Sequence, residues 1–206
     1  MLRMLLIRHS MTAGNLKKRY IGTTDEPLCP EGVELIRQVF YPQVEAVFVS
    51  PMRRCVETAG IIYPNRRLHI IDELAECDFG EFENKNYQEL SGNANYQKWV
   101  DSGGQLPFPG GESREGFRWR CLNGFQKVVH NCMHHNITSA ALVVHGGTIM
   151  NIMETYARPE RSFYQWQVKN GCGYAVELDT ELWKKNREEL RVISRIPGAL
   201  IERRER

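Results

Sequence analysis

Short apolar runs alternate along this chain with segments whose apolar residues recur at helical spacing. Leu5 to Arg8 reads as a first strand, closing the apolar opening Met1 to Ile7. Ala46 to Val49, Leu68 to Ile71, Ala140 to Val144 and Leu190 to Ile196 read as four more. Val33, Ile36 and Phe40 follow Pro30 in helical register up to Pro42, and Cys55, Ala59 and Ile62 follow Ser50 and Pro51, which read as an N-cap and a first-turn proline. Phe117, Cys121, Phe125 and Val128 follow Ser113, a candidate cap, with Glu112 and Glu115 complementing the helix dipole. Gly146 and Gly147 turn the chain into a helix to about Tyr156, and residues 163 to 179 read as a hairpin around Asn170 and Gly171. This alternation predicts an α/β fold, a three-layer sandwich with a mainly parallel central sheet and helices on both faces. Residues 72 to 111, rich in Asn, Gly and Pro, are less regular, and a lid or insert is expected over about 77–115.

Length and charge narrow the picture only a little. With 206 residues the chain is read as one domain, 1–206, and a net charge of +2 does not point to nucleic acid or membrane as a partner. The basic stretch Arg203 to Arg206 reads as a frayed, solvated terminus. No apolar run reaches the roughly 20 residues that span a bilayer, and Met1 to Ile7 is short for a signal-peptide core, so a cytoplasmic protein is expected. The six cysteines show no paired spacing and read as reduced, mostly buried thiols.

The chemistry sits where strands end. Arg8 and His9 close the first strand and His145 follows the fourth, the edge at which α/β sheets bind ligands. Arg54 in a helical first turn and the carboxylate Glu76 complete a set suited to phosphoryl transfer: a nucleophilic imidazole, guanidinium forks matched to phosphoryl oxygens, and an acid for the leaving group. Gly146 and Gly147 would let backbone approach a ligand closely. Charge alone does not choose Glu76 over Glu73, Asp78, Glu81 or Glu83, and any one of these residues taken singly is more simply a structural or solvated side chain.

Four segments together resemble the histidine phosphatase superfamily, which includes cofactor-dependent phosphoglycerate mutases, fructose-2,6-bisphosphatases and alpha-ribazole phosphatases. LLIRHSMTAGN, SPMRRCVETA, LAECDFGEFE and LVVHGGTI match its motifs in order, over about Leu5 to Tyr174. The resemblance implies His9 as the phosphorylated nucleophile, Glu76 as proton donor and then base, and Arg8, Asn15, Arg54 and His145 as holders of the phosphoryl oxygens. Gly22, Thr23 and Gly146 are further candidates for substrate binding. It implies a phosphomonoesterase without metal or cofactor, acting on a small phosphorylated metabolite such as alpha-ribazole 5'-phosphate. The PGGES segment and the NGCGY run at Asn170 to Tyr174 look like the alpha-ribazole and broad-specificity branch. A mutase-type phosphotransferase and a catalytically weak phosphate-binding module are the alternatives, and the oligomeric state is open.

This sequence departs from the family pattern at Ser10 and Met11, which stand where Gly and then Glu or Gln are usual. The Ser10 hydroxyl is expected near the phosphate, as a donor or as an obstruction. His130, His134 and His135, which with Cys132 form a cluster, read as cationic groups at a helix C-terminus rather than as metal ligands, His69 reads as structural, and Trp99, Trp119, Trp166 and Trp183 read as core or pocket wall.

Overall fold

The two-residue period of the central strands divides the core into two halves. The computed structural model describes residues 1–197; the basic stretch Arg203 to Arg206 lies outside them. Its elements run β1 (Leu2–Arg8), the single turn α1 (Ala13–Leu16), α2 (Pro30–Arg37), β2 (Ala46–Val49), α3 (Arg53–Ile62), β3 (Leu68–Ile70) and α4 (Ala94–Asp101). They continue with α5 (Arg114–His134), β4 (Ser139–Val144), α6 (Gly146–Tyr156), β5 (Ala157–Arg158), β6 (Gly173–Leu178), α7 (Thr180–Trp183) and β7 (Leu190–Ile196). β1 sends Leu2, Met4 and Leu6 to one face and Leu5 and Ile7 to the other; β4 likewise divides Ala140, Leu142 and Val144 from Ala141 and Val143. The first face packs against Phe125, Val128 and Val129 of α5 and Ile149, Ile152 and Met153 of α6. The second packs against Ile36 of α2 and Cys55 and Ala59 of α3. Helices therefore cover both faces of an α/β sandwich.

The seven strands lie in the order β3-β2-β4-β1-β6-β7-β5. β3, β2, β4 and β1 are mutually parallel, as are β5 and β7, while β6 runs antiparallel to both of its neighbours, so the sheet is mainly parallel. Register is what positions the site. Arg8 pairs with Val144 and Val49 with Val143, so β1, β4 and β2 end level with one another. The next residues, His9, His145 and Ser50, leave the sheet together.

The structure corrects four readings of the sequence. α3 begins at Arg53 with Met52 as its N-cap, not at Pro51. The Ser50 hydroxyl lies against His145 Nε2 at 2.7 Å and accepts the Met52 N–H at 3.3 Å, so it serves the site instead of starting the helix at Pro51. Residues 163 to 179 form no hairpin: a 3-10 turn, Phe163–Trp166, leads through a loop into β6, whose partners are β1 and β7. The loop's hydrogen bonds go to Arg8, His9 and Ser10 instead of to a sister strand. Phe40 lies beyond the end of α2 and is 77% exposed, and Trp119 is 71% exposed on α5 rather than core or pocket wall. Trp166 and Trp183 are buried, as expected.

The irregular stretch is ordered around an aromatic cluster. Phe82, fully buried, touches Tyr20, Tyr96, Trp99 and Phe108 at ring-centroid distances of 5.2 to 6.2 Å. Gly80 has φ +51°, and a Cβ there would lie 2.2 Å from the Pro109 carbonyl, so only glycine lets this turn close onto the Pro109–Gly111 backbone. None of the six cysteines is in a disulfide, and five of them are buried. Among the described residues no helix is long and apolar enough to cross a membrane.

Candidate active site

His9 leaves β1 with its backbone N–H donated to Val144 O and its ring buried. Nδ1 lies 2.6 Å from Ser10 O. A carbonyl can only accept, so Nδ1 carries the hydrogen and Nε2 keeps its lone pair. The His145 ring is 5.2 Å away, centroid to centroid. Its Nε2 meets the Ser50 hydroxyl and its Nδ1 lies 3.8 Å from Glu76 Oε2. Burial, reinforced by Arg54 and Arg8, holds both imidazoles well below the ordinary histidine value, so both are neutral at pH 7.

The two arginines are held by carbonyls. Arg54 is fully buried and donates from Nη1 to Thr24 O at 2.9 Å and from Nη2 to Ile21 O and Gly22 O at 3.2 and 2.9 Å. Arg8 donates from Nη1 to Val168 O at 2.9 Å. The Nε–H of each is buried with no partner. Neutral clamps fix the forks without cancelling their charge, and two unpartnered charged donors are what an anion could engage. Arg53, one residue earlier, is exposed and paired with Glu57 at 2.6 Å.

Glu76 is the carboxylate brought to this cluster. Burial raises its pKa above the ordinary value, against the lowering effect of the Cys77 N–H, Arg54 and Arg8. Its backbone carbonyl, with those of Glu73 and Ala75, accepts from Arg120, which Glu112 holds at 2.8 Å. The neighbouring acids have other partners. Glu73 pairs with Lys127, Asp78 accepts the Gly80 N–H, and Glu81 accepts from Asn95. The Glu83 carboxylate accepts the N–H groups of Gly22, Thr23, Thr24 and Phe79 and the Thr24 hydroxyl.

Gly22 and Thr23 therefore have their amides committed to Glu83, and their loop presents its carbonyls to Arg54. Gly146 opens α6 beside Arg8, whose Nε would be 3.4 Å from a Cβ there. Asn15 closes a capping box with Thr12, its Oδ1 accepting from Thr12 N–H and from Asn170. Ser10 is turned away from the site: its hydroxyl donates to Gly32 O at 2.6 Å and its N–H to Thr58 Oγ1, so it is neither donor nor obstruction to an anion. His130, His134 and His135 are exposed, Cys132 is in the core, and among the described residues no group of three or more His, Cys, Asp or Glu could hold a metal. His69 packs its ring on Phe48.

A model of the histidine phosphatase superfamily (branch 1) matches residues 4–189. The chain belongs to the histidine phosphatase superfamily. It is 23% identical over 188 residues to the adenosylcobalamin/alpha-ribazole phosphatase of Salmonella typhimurium, covering 86% of this chain and 91% of that protein. It is 26% identical over 187 residues to a Bacillus subtilis phosphatase, covering 87% and 90%. The crystal structure of the alpha-ribazole phosphatase from Shigella flexneri shares the fold, with a TM-score of 0.75 at 23% identity over 86% of this chain and 91% of that one. Phosphoglycerate mutases are also among the relatives. This histidine phosphatase is accordingly an enzyme of the phosphatase class.

Several groups in the site were not singled out from the sequence: Ser50 as the partner of His145, Glu83 as the anchor of the Gly22–Thr24 loop, Arg120 behind Glu76, and Asn170. Only Ser50 and Asn170 carried a signal, each as a presumed turn or cap residue.

Two measurements check this geometry. Arg54→Ala removes a charge-assisted contact to a buried anion, a loss on the order of 2 to 5 kcal/mol. The inhibition constant of inorganic phosphate should therefore rise strongly in Arg54→Ala and little in Arg53→Ala. The histidines set a pH dependence of stability. Their folded pKa values lie below the unfolded one, so below about pH 6.5 the unfolded chain takes up protons that the folded chain does not. Stability is thus full above that value and falls with pH below it, by up to about 1.4 kcal/mol per pH unit per ring. Urea midpoints between about pH 7 and 5 should show this slope, and His145→Gln should make it shallower.

Proposed function

We propose that this histidine phosphatase is a phosphomonoesterase that works through a phosphohistidine on His9 and needs neither metal nor cofactor. The observation that carries the reading is the pair of buried, unpartnered Nε–H groups of Arg8 and Arg54 beside a His9 whose Nε2 lone pair is free to attack. Arg8 and Arg54 hold the phosphoryl oxygens, with His145 and the Asn15 amide. His9 Nε2 forms the N–P bond as the P–O bond to the leaving group breaks. Glu76, whose pKa is raised by burial, gives its proton to that oxygen, and as a carboxylate it then takes one from the water that cleaves N–P.

The leaving group meets an aromatic wall. A Cβ at Gly147 would touch both Phe117, at 2.8 Å, and Glu76 Oε1, at 3.2 Å, so ring and acid are neighbours. Phe79 and Phe108 pack onto the same cluster as Phe117. This supports residues 77–115 as a lid and a nucleotide-like substrate with a planar base, such as alpha-ribazole 5'-phosphate. A mutase must hold a substrate's second anionic group. The amides of the Gly22–Thr24 loop, whose carbonyls clamp Arg54, are already occupied by Glu83, which favours hydrolysis. We infer a cytoplasmic enzyme whose partner is a small phosphorylated metabolite, and neither nucleic acid nor membrane.

Incubation with labelled phosphomonoester and rapid quenching, in EDTA, should trap an acid-labile, base-stable phosphoenzyme that His9→Ala abolishes. Label on another residue, or a requirement for added metal, would overturn the reading, and turnover that depends on His9 rules out a mere binding module. Glu76→Gln should slow alkyl and ribosyl phosphates by roughly 10²- to 10⁴-fold and aryl phosphates far less, because a good leaving group departs without a proton. Equal losses on both would assign Glu76 a structural role.

A further inference from the structure

The loop that enters β6 grips the nucleophile. Arg8 Nη1 donates to Val168 O, Arg8 N–H donates to Cys172 O, and Gly171 N–H is shared between Arg8 O at 3.1 Å and His9 O at 3.2 Å. Gly171 has φ +72°, the left-handed region that lets this amide turn back onto the strand end, and its own carbonyl accepts from Tyr41 at 2.7 Å. At the centre of this strap is a side chain. Asn170 Nδ2 shares its two hydrogens among His9 O at 3.1 Å, Ser10 O at 3.3 Å and Asn15 Oδ1 at 3.1 Å. Three oxygens face it, so the nitrogen and not the oxygen of the carboxamide must point there.

Two of those acceptors matter for chemistry. Ser10 O is the same carbonyl that takes the His9 Nδ1–H at 2.6 Å and so decides which ring nitrogen is left to attack. Asn15 Oδ1, already engaged by Thr12 N–H, takes its second donor from Asn170, which leaves Asn15 Nδ2 as the end of that amide available to an oxyanion. We propose that Asn170 is the positioning residue of the phosphorylation step: its one amide holds the carbonyl that fixes His9 as the Nδ1–H tautomer and orients the Asn15 amide toward the phosphoryl group. The inference rests on the reading of His9 as nucleophile. Asn170 touches neither substrate nor reacting atoms.

Asn170→Asp and Asn170→Ser separate this role from a general one in folding. At neutral pH the Asp carboxylate turns an acceptor toward three acceptors. On protonation it regains one donor. The ratio of its single-turnover phosphorylation rate to wild type should therefore fall by up to about 100-fold near neutrality, the cost of misplacing a reacting group by about 1 Å, and recover as pH drops. Asn170→Ser, whose hydroxyl is too short to reach all three oxygens, should lose rate without that recovery. Nitrogen-15 spectra of histidine-labelled protein should show one Nδ1–H tautomer for His9 in the wild type and a mixture in the variants. A single unchanged tautomer together with a pH-independent rate ratio would overturn the proposal, and Asn170→Ser alone decides it by the tautomer if Asn170→Asp does not fold. Absence of label on His9 in the wild type would instead overturn the reading of the nucleophile, since the tautomer measurement needs no turnover.

Discussion

Two guanidinium groups without a carboxylate partner, Arg54 fully buried and Arg8 half-buried, are the constraint from which the rest of the site follows. Taking such charges out of water costs several kcal/mol each unless something compensates, and here the compensation is dipolar: Thr24, Ile21 and Gly22 carbonyls for Arg54 and the Val168 carbonyl for Arg8. Carbonyls orient a fork without neutralising it, so the positive potential persists into the pocket. That potential and burial together keep His9 and His145 unprotonated, whereas burial raises the Glu76 pKa although the arginines oppose it. One electrostatic arrangement thus suits the anion site, the neutral nucleophile and the acid proposed for this enzyme.

Dipolar clamps work only if the loops that carry them cannot move. The Gly22–Thr24 loop is fixed from both sides, its three N–H groups donated to Glu83 and its Gly22 and Thr24 carbonyls accepting from Arg54. Glu83 lies in the same irregular stretch as Glu76, and that stretch is tied down by Phe82 and its ring neighbours. The aromatic cluster therefore serves the phosphate site indirectly: it sets where Glu83 can be, Glu83 sets the loop, and the loop sets Arg54.

The strand ends were legible in the sequence because burial on both faces leaves a continuous apolar run, and the first polar residues after it, Arg8, His9 and His145, are the ones that leave the sheet. Motif match alone distinguishes Arg54 from its neighbour Arg53 and Glu76 from four other acids in the sequence. The structure shows the physical difference, since Arg53, Glu73, Asp78, Glu81 and Glu83 all find partners elsewhere. What stayed illegible is what acts through backbone atoms. Asn170 and Gly171 have the composition of a tight turn, and that signal read as a hairpin. Nothing in the residue types discloses that their donors go to Arg8, His9 and Ser10, with Asn170 lying 161 residues from His9 and 160 from Ser10. Ser50 was read as a helix cap for the same reason: a hydroxyl before proline looks local until a distant imidazole claims it.

Ser10 shows how a departure from the family pattern is absorbed without touching the chemistry. A side chain between His9 and Met11 has two directions open to it, toward the phosphate or toward α2. The second is built to receive it. Gly32 packs so closely that a Cβ there would lie 2.2 Å from the Met11 carbonyl, and this close approach puts the Gly32 carbonyl 2.6 Å from Ser10 Oγ. Thr58 of α3 takes the Ser10 N–H and passes its own hydroxyl hydrogen to Arg54 O, so the loop of the nucleophile and the helix of the arginine are joined through one threonine. The serine hydroxyl is spent on that junction. Its carbonyl remains for His9, and the anion site keeps the donors it would have had with glycine in that place.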